Sequence, residues 1–287
     1  MPHIIESNNS GIILGDIGNF SPEKTFDCGQ CFRFDPAPDG GVTGIAHGRR
    51  VNIRRDGDNL VINGITESDF ADTWQRYLAL DTDYDEIDRR IGAALTAEKG
   101  GSILADAAKV SAGIRILRQD KWETLCSFII SQNNNIPRIK KIITAMSREW
   151  GEKIGDDDFA FPTAKALADA GEDKIFALRT GFRAKYIADA ARTVCENEDF
   201  LDSVAACENY ADADEMLRSI KGVGPKVSAC VLLFGFGRTD AFPIDVWIKR
   251  VMEKYFPHGL DPTVFGDVAG IAQQYLFYYE RYMGGEK

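Results

Sequence analysis

Leu217-Arg218-Ser219-Ile220-Lys221-Gly222-Val223-Gly224-Pro225-Lys226-Val227-Ser228-Ala229-Cys230 is the most informative stretch of this 287-residue chain. A helical run entering from about Asp212 meets Gly-Val-Gly, and Pro225, whose fixed φ suits the first position of a helix, starts a second one. The pattern predicts a helix, a tight hairpin and a helix. Glycine permits positive φ and a close approach of another chain, and the free N–H groups at the second helix start favour an anion. A hairpin of this kind can hold a nucleic-acid phosphate without reading bases. An αα corner that uses glycine for geometry alone is the plainer alternative. Lys226 falls in the first turn of the second helix, where the positive end of the helix dipole disfavours an ammonium. A lysine with its pKa lowered by such neighbours can act as an amine nucleophile toward a sugar or carbonyl carbon. A solvent-facing lysine or a simple phosphate contact is the bland reading.

Downstream lies Ala241-Phe242-Pro243-Ile244-Asp245-Val246-Trp247-Ile248-Lys249-Arg250. The pattern predicts a helix over Val246 to Tyr255 with Asp245 as its N-cap. A carboxylate held at a helix start is expected to keep a low pKa and stay ionised. That suits stabilisation of positive charge developing on a sugar, or activation of a nearby amine.

Upstream, the first third alternates. Thr25 to Cys28, Cys31 to Phe34, Val42 to His47, Arg49 to Arg54 and Leu60 to Ile65 read as short strands divided by Asp/Gly turns. From Glu67 the period becomes helical, as in Phe70, Trp74, Tyr77 and Leu78, or Ile136, Ile139, Ile142, Ile143 and Met146. The expected class is α+β, with an N-terminal antiparallel sheet domain over residues 1–117 and an all-helical domain over 118–287.

Composition is that of an ordinary globular protein, and no apolar run reaches the roughly 18 residues of a membrane span. The N-terminus carries no export pattern, so a soluble cytoplasmic protein with its six cysteines reduced is expected. Lys and Arg number 34 against 44 Asp and Glu, a net charge of −10 that speaks against a phosphate partner on the whole-molecule scale. Two stretches depart from it, Arg115 to Arg148 and Lys221 to Lys254, and a face shared by both could attract a polyanion. Mixed, solvated helix faces explain the same residues.

The hairpin together with Phe242-Pro243-Ile244-Asp245-Val246 resembles the helix-hairpin-helix DNA glycosylase superfamily. Further segments resemble its 8-oxoguanine DNA glycosylase branch: Phe26-Asp27-Cys28-Gly29-Gln30-Cys31-Phe32-Arg33, Leu117-Arg118-Gln119-Asp120, Ser131 to Ile139, Gly181-Phe182-Arg183-Ala184-Lys185-Tyr186, and Ala272-Gln273-Gln274-Tyr275-Leu276-Phe277. They occur in order over nearly the whole chain. The resemblance implies a bifunctional enzyme that extrudes 8-oxoguanine, preferably opposite cytosine, from double-stranded DNA, excises it through a Lys226 Schiff base with Asp245 in support, and nicks the abasic site. By the same similarity, the Gly29 carbonyl accepts the lesion's extra N–H, Phe277 and Cys230 sandwich the base, and Gln273 and the main chain at Pro243 bond its pairing edge. Asn133 fills the vacated hole, Arg138 and Arg183 read the widowed cytosine, and Phe182 wedges the duplex where many relatives carry tyrosine. Gly222 and Gly224 dock phosphates.

Trp247 stands where some relatives have histidine, which leaves a phosphate contact there unassigned. The Cys28 and Cys31 pair lacks a second pair at metal-site spacing, so no metal site is expected, and no cofactor is required. The hairpin carbonyls of Arg218, Ile220 and Val223 could hold a monovalent cation, as similar hairpins do. The protein is expected to act as a monomer without membrane contact. Two rival readings remain: a monofunctional alkyl-base glycosylase working through water, which has no need of Lys226, and a non-catalytic helix-hairpin-helix DNA clamp.

Overall fold

Strand alternation in the first third produces one antiparallel sheet in the order β1-β2-β6-β5-β4-β3, in a computed structural model that describes residues 2–94 and 101–284. Its strands are β1 (His3–Asn8), β2 (Gly11–Gly15), β3 (Phe34–Pro36), β4 (Val42–Ala46), β5 (Arg49–Asp56) and β6 (Asn59–Asn63). Val42, Ala46, Val51, Ile53, Leu60 and Ile62 point from the sheet into a core closed by Phe20, Phe26, Trp74 and Leu78. The three predicted strands between Val42 and Ile65 are present, with β4 pairing β5 and β5 pairing β6.

Two expected strands are not there. Thr25 to Cys28 falls largely in helix α1 (Pro22–Asp27), because Ser21 caps it by accepting the Lys24 N–H and Pro22 occupies its first position. Of Cys31 to Phe34, only Phe34 enters a strand. The Cys28–Cys31 segment is therefore a loop, which is what frees it to line a site. It is bolted in place by Gln30, fully buried, whose Nε2 donates to the Thr25 and Arg115 carbonyls while its Oε1 accepts from the Leu117 N–H, each at 2.8 Å.

Helix α2 (Glu67–Asp69) starts in a Thr66/Asp69 capping box and runs through a π turn at Phe70–Trp74 into α3 (Gln75–Tyr77). Then follow α4 (Tyr84–Ala93), α5 (Gly101–Ser111), α6 (Lys121–Ser131), α7 (Ile136–Trp150), α8 (Ala164–Ile175), α9 (Ala184–Glu196), α10 (Phe200–Ala206), α11 (Tyr210–Arg218), α12 (Pro225–Phe236), α13 (Val246–Tyr255) and α14 (Ala269–Tyr282). Helix α12 is apolar on every side from Val227 to Gly235 except at Ser228, and it is buried throughout that span. It forms the axis of the second core and stacks Phe234 on Phe128 of α6 at 5.4 Å. Tyr84, Ile87 and Ile91 of α4 and Leu104 of α5 pack into this helical core rather than against the sheet. The α+β architecture is thus a sheet with its own core joined to a larger helical one. No helix among the described residues is long and apolar enough to cross a membrane.

Candidate active site

Against the helical core lies a cavity of about 650 Å³ lined by loop 28–29, α6, the starts of α12 and α13, and α14. Each wall has a local cause. The hairpin between α11 and α12 turns through Gly222 at φ +85°, where a Cβ would sit 2.2 Å from the Tyr186 ring, so only glycine lets the hairpin pack on α9. Gly224 caps α12, and a Cβ there would meet nothing within 4 Å. The hairpin is pinned by the Lys221 N–H donating to Asp189 at 3.0 Å and by the Val223 N–H donating to the Ile220 carbonyl at 3.0 Å.

Pro225 places Lys226 in the first turn of α12, half-buried and facing the cavity. Its Nζ donates to the Ser131 hydroxyl at 3.3 Å and lies 5.2 Å from the centre of the Phe128 ring. Ser131 in turn donates to the Phe128 carbonyl at 2.8 Å. One turn further along α12, Cys230 is buried beside the amine. Burial pushes its thiol pKa up, and Lys226 opposes that rise.

Asp245 caps α13 as expected, accepting the Ile248 N–H at 2.9 Å. The expectation of a low pKa is overturned: burial pushes the carboxyl above its ordinary value, and the helix N–H bonds and the nearby Lys226 ammonium only partly offset it. A cap at an exposed helix start keeps its charge cheaply. This one is capped inside a cavity wall, where the charged form loses water.

The remaining wall comes from α14 and loop 28–29. Gly29 has φ +79°, and a Cβ on it would touch Phe277 at 3.4 Å. Phe277 meets Trp247 edge to face at 6.4 Å, and Arg250 covers the other ring with its guanidinium 4.9 Å away. Gln273 is only 3% exposed, and its Oε1 has no hydrogen-bond partner. Such a buried acceptor is costly unless something fills it. Pro243 completes the group on this side.

Of the residues singled out in the sequence, Lys226, Asp245, Gly29, Cys230, Pro243 and Gln273 line this one cavity together with Phe277, Asn133 and Gly224. Arg138, Phe182, Arg183 and Gly222 stand outside its wall; Arg183 bonds the wall residue Asn133, and Phe182 and Gly222 both pack on Tyr186. Asn133, at φ +47°, is held out from the α6–α7 turn, and Asn135 caps α7 by accepting the Arg138 N–H at 3.0 Å. Arg138 is exposed and donates to the Arg179 carbonyl at 3.2 Å. Arg183, 2% exposed, is instead turned inward: it donates to the Asn133 carbonyl at 2.8 Å, the Thr180 carbonyl at 3.1 Å and the Gln132 carbonyl. Phe182 projects beside it, 47% exposed, with its ring edge against Tyr186.

Ser131, Gln274 and Lys249 also line the cavity and were not singled out as site residues. Gln274 sat beside Gln273 in the quoted motif, and Ser131 opened the asparagine run, so position in a motif was the available signal. Lys249 gave none beyond charge. Among the described residues no His, Cys, Asp or Glu group is arranged to hold a metal, and Cys28 and Cys31 are buried thiols whose pKa burial raises.

Residues 12–125 match the 8-oxoguanine DNA glycosylase N-terminal domain, and residues 126–264 match the HhH-GPD superfamily of base excision DNA repair proteins. A solved complex of MBOgg1 with a low-affinity DNA ligand is 40% identical, covers 99% of each chain and has a TM-score of 0.90. The 8-oxoguanine glycosylase/lyase of Clostridium acetobutylicum, solved on double-stranded DNA containing cytosine opposite 8-oxoguanine, is 36% identical over 97% of both chains with a TM-score of 0.88. The N-glycosylase/DNA lyase of Saccharomyces cerevisiae is 39% identical over 156 residues, which span 50% of this chain and 42% of the yeast protein.

Proposed function

Because the chain belongs to the 8-oxoguanine DNA glycosylase family, we propose that it removes 8-oxoguanine from double-stranded DNA and cleaves the resulting abasic site. The observation that carries this is the convergence of Lys226, in the first turn of α12, and Asp245, the cap of α13, on one cavity large enough for a base. Phosphates dock at Gly222 and Gly224, where the open space at Gly224 leaves the α12 N–H groups accessible. Phe182 enters the stack and Asn133 fills the hole left by the extruded base. Arg138 and Arg183 read the estranged cytosine. Arg138 is exposed and gives up only the Arg179 carbonyl to do so, whereas Arg183 is buried and held by three carbonyls.

In the cavity the base lies between Phe277 and Cys230, with its pairing edge on Gln273, whose unpartnered Oε1 supports that role, and on the main chain at Pro243. The unprotonated amine of Lys226 attacks the anomeric carbon. The glycosidic bond breaks with its electron pair leaving on the base, which takes up a proton. Asp245, ionised, offsets the positive charge on the sugar, and the proton that the attacking amine sheds is the one the leaving base takes up. Ring opening gives a Schiff base, and loss of a C2′ proton then expels the 3′ phosphate. The amine is itself the nucleophile, so this route requires no metal or cofactor, and the enzyme acts as a cytoplasmic monomer.

The test is borohydride trapping on a duplex with one 8-oxoguanine opposite cytosine. Wild type is expected to give a covalent adduct, and Lys226→Gln none. Base release without an adduct would move the reading to a water-dependent glycosylase; salt-sensitive binding with neither event would leave a DNA clamp.

A further inference from the structure

Around Gly29 the loop carbonyls are saturated one by one. Thr25 O accepts Gln30 Nε2 at 2.8 Å, Phe26 O accepts the Cys31 thiol at 3.8 Å, and Asp27 O accepts the Arg281 guanidinium at 3.0 Å. Cys28 O accepts Gln274 Nε2 and Gln30 O accepts Gln119 Nε2, both at 2.7 Å. The Gly29 carbonyl takes a hydrogen bond from no group among the described residues. It is the unclaimed acceptor of the run, on the residue that meets Phe277 in the cavity wall.

Glycine is also the loosest residue on which to hang an acceptor, because its flanking peptide planes rotate freely. Gln274 and Gln119 remove that freedom from both sides. The first holds the peptide between Cys28 and Gly29, the second the peptide after Gln30, and Gln274 does so from a fully packed position, 2% exposed, on α14. We propose that Gln274 and Gln119 are positioning residues for lesion recognition, which between them fix the Gly29 carbonyl as the acceptor the loop presents to the cavity. This rests on the proposed excision of 8-oxoguanine. That base carries an N–H at N7 where guanine carries a lone pair, so an acceptor fixed opposite N7 attracts one and repels the other. An acceptor able to swing away does neither well. The adjacent glutamines of α14 thus divide the work: Gln273 faces the base, and Gln274 holds the backbone that examines it.

Gln274→Met and Gln119→Met each remove the donor at nearly constant volume. Two rates are measured for each on the full chain: single-turnover excision from an 8-oxoguanine:cytosine duplex, and strand cleavage at a preformed abasic site, which needs Lys226 but no base recognition. Excision is expected to fall about tenfold, the worth of one well-placed hydrogen bond, while abasic cleavage changes by less than about twofold. Parallel loss of both rates would mark a general folding effect and overturn the inference, as would loss of neither. A wild-type protein that cleaves abasic DNA but leaves 8-oxoguanine in place would sink the lesion assignment, and this inference with it.

Discussion

Asp245 shows how one residue can serve helix and chemistry at a cost to stability. Its carboxyl has a raised pKa in the folded chain, so folding favours the protonated form. Stability from this group is full below the ordinary carboxylate range and falls as pH rises through the raised value. Asn keeps the N-cap and never carries the buried charge. Asp245→Asn is therefore expected to melt no lower than wild type at neutral pH, its advantage opening as pH rises from the ordinary carboxylate range through the raised value, while excision falls by about 100-fold or more for loss of the charge that stabilises the sugar cation. Thermal melts across pH and single-turnover rates check both halves; a destabilised variant would mean the carboxylate is a net structural asset. The cap itself was legible in Pro-Ile-Asp-Val. The direction of the pKa was not, because it depends on what α12 and α14 place around the cap. Arg183 makes the same point: its sequence neighbours gave no sign that three carbonyls would claim it.

At the scale of elements, the hairpin separates two uses of glycine that look identical in Gly-Val-Gly. Gly222→Ala puts a methyl into the Tyr186 ring at positive φ and is expected to destabilise the fold by about 2 kcal/mol or more. Gly224→Ala meets no neighbour and is expected to shift stability by less than about 0.5 kcal/mol, yet to weaken DNA binding by crowding the approach to the α12 N–H groups. Denaturant unfolding and DNA titration distinguish them; equal stability losses would refute the division. Helix α13 ran over Val246 to Tyr255 as its periodicity predicts, since an N-cap and an apolar stripe are local signals. Helix α1 lies where alternation over Thr25 to Cys28 predicts a strand, because Ser21-Pro22 is a helix start and a cap with a proline behind it outranks four alternating residues.

For the whole molecule, the two basic stretches turned out to be mostly spent internally. Arg118, Lys121, Lys140 and Arg148 pair with Asp81, Asp202, Asp35 and Asp157, Arg238 pairs with Asp240, Lys254 with Glu280, and Arg115 is buried over Tyr84. Arg138, Lys141, Lys221, Lys226, Lys249 and Arg250 are the cations of those stretches outside such ion pairs among the described residues. Lys226 is the nucleophile and Arg138 reads a base, so about four phosphates are met at most from this set, and log K against log salt is expected to fall with a slope of about −4. Anisotropy titrations at several salt concentrations measure it, and a slope beyond about −8 would mean that the internal pairs open onto DNA. Charge along the sequence could not foretell this, since the acids that neutralise these cations come mostly from distant segments. The Gly29 loop, finally, is tied to the first core by Gln30 and to the last helix by Gln274, while the amine grows from α12. The acceptor that tells the lesion from guanine is therefore written far from the amine in the chain, whereas Cys230 and Pro243 share their stretches with Lys226 and Asp245: inheritance can edit that one test of the base without rewriting the means of execution.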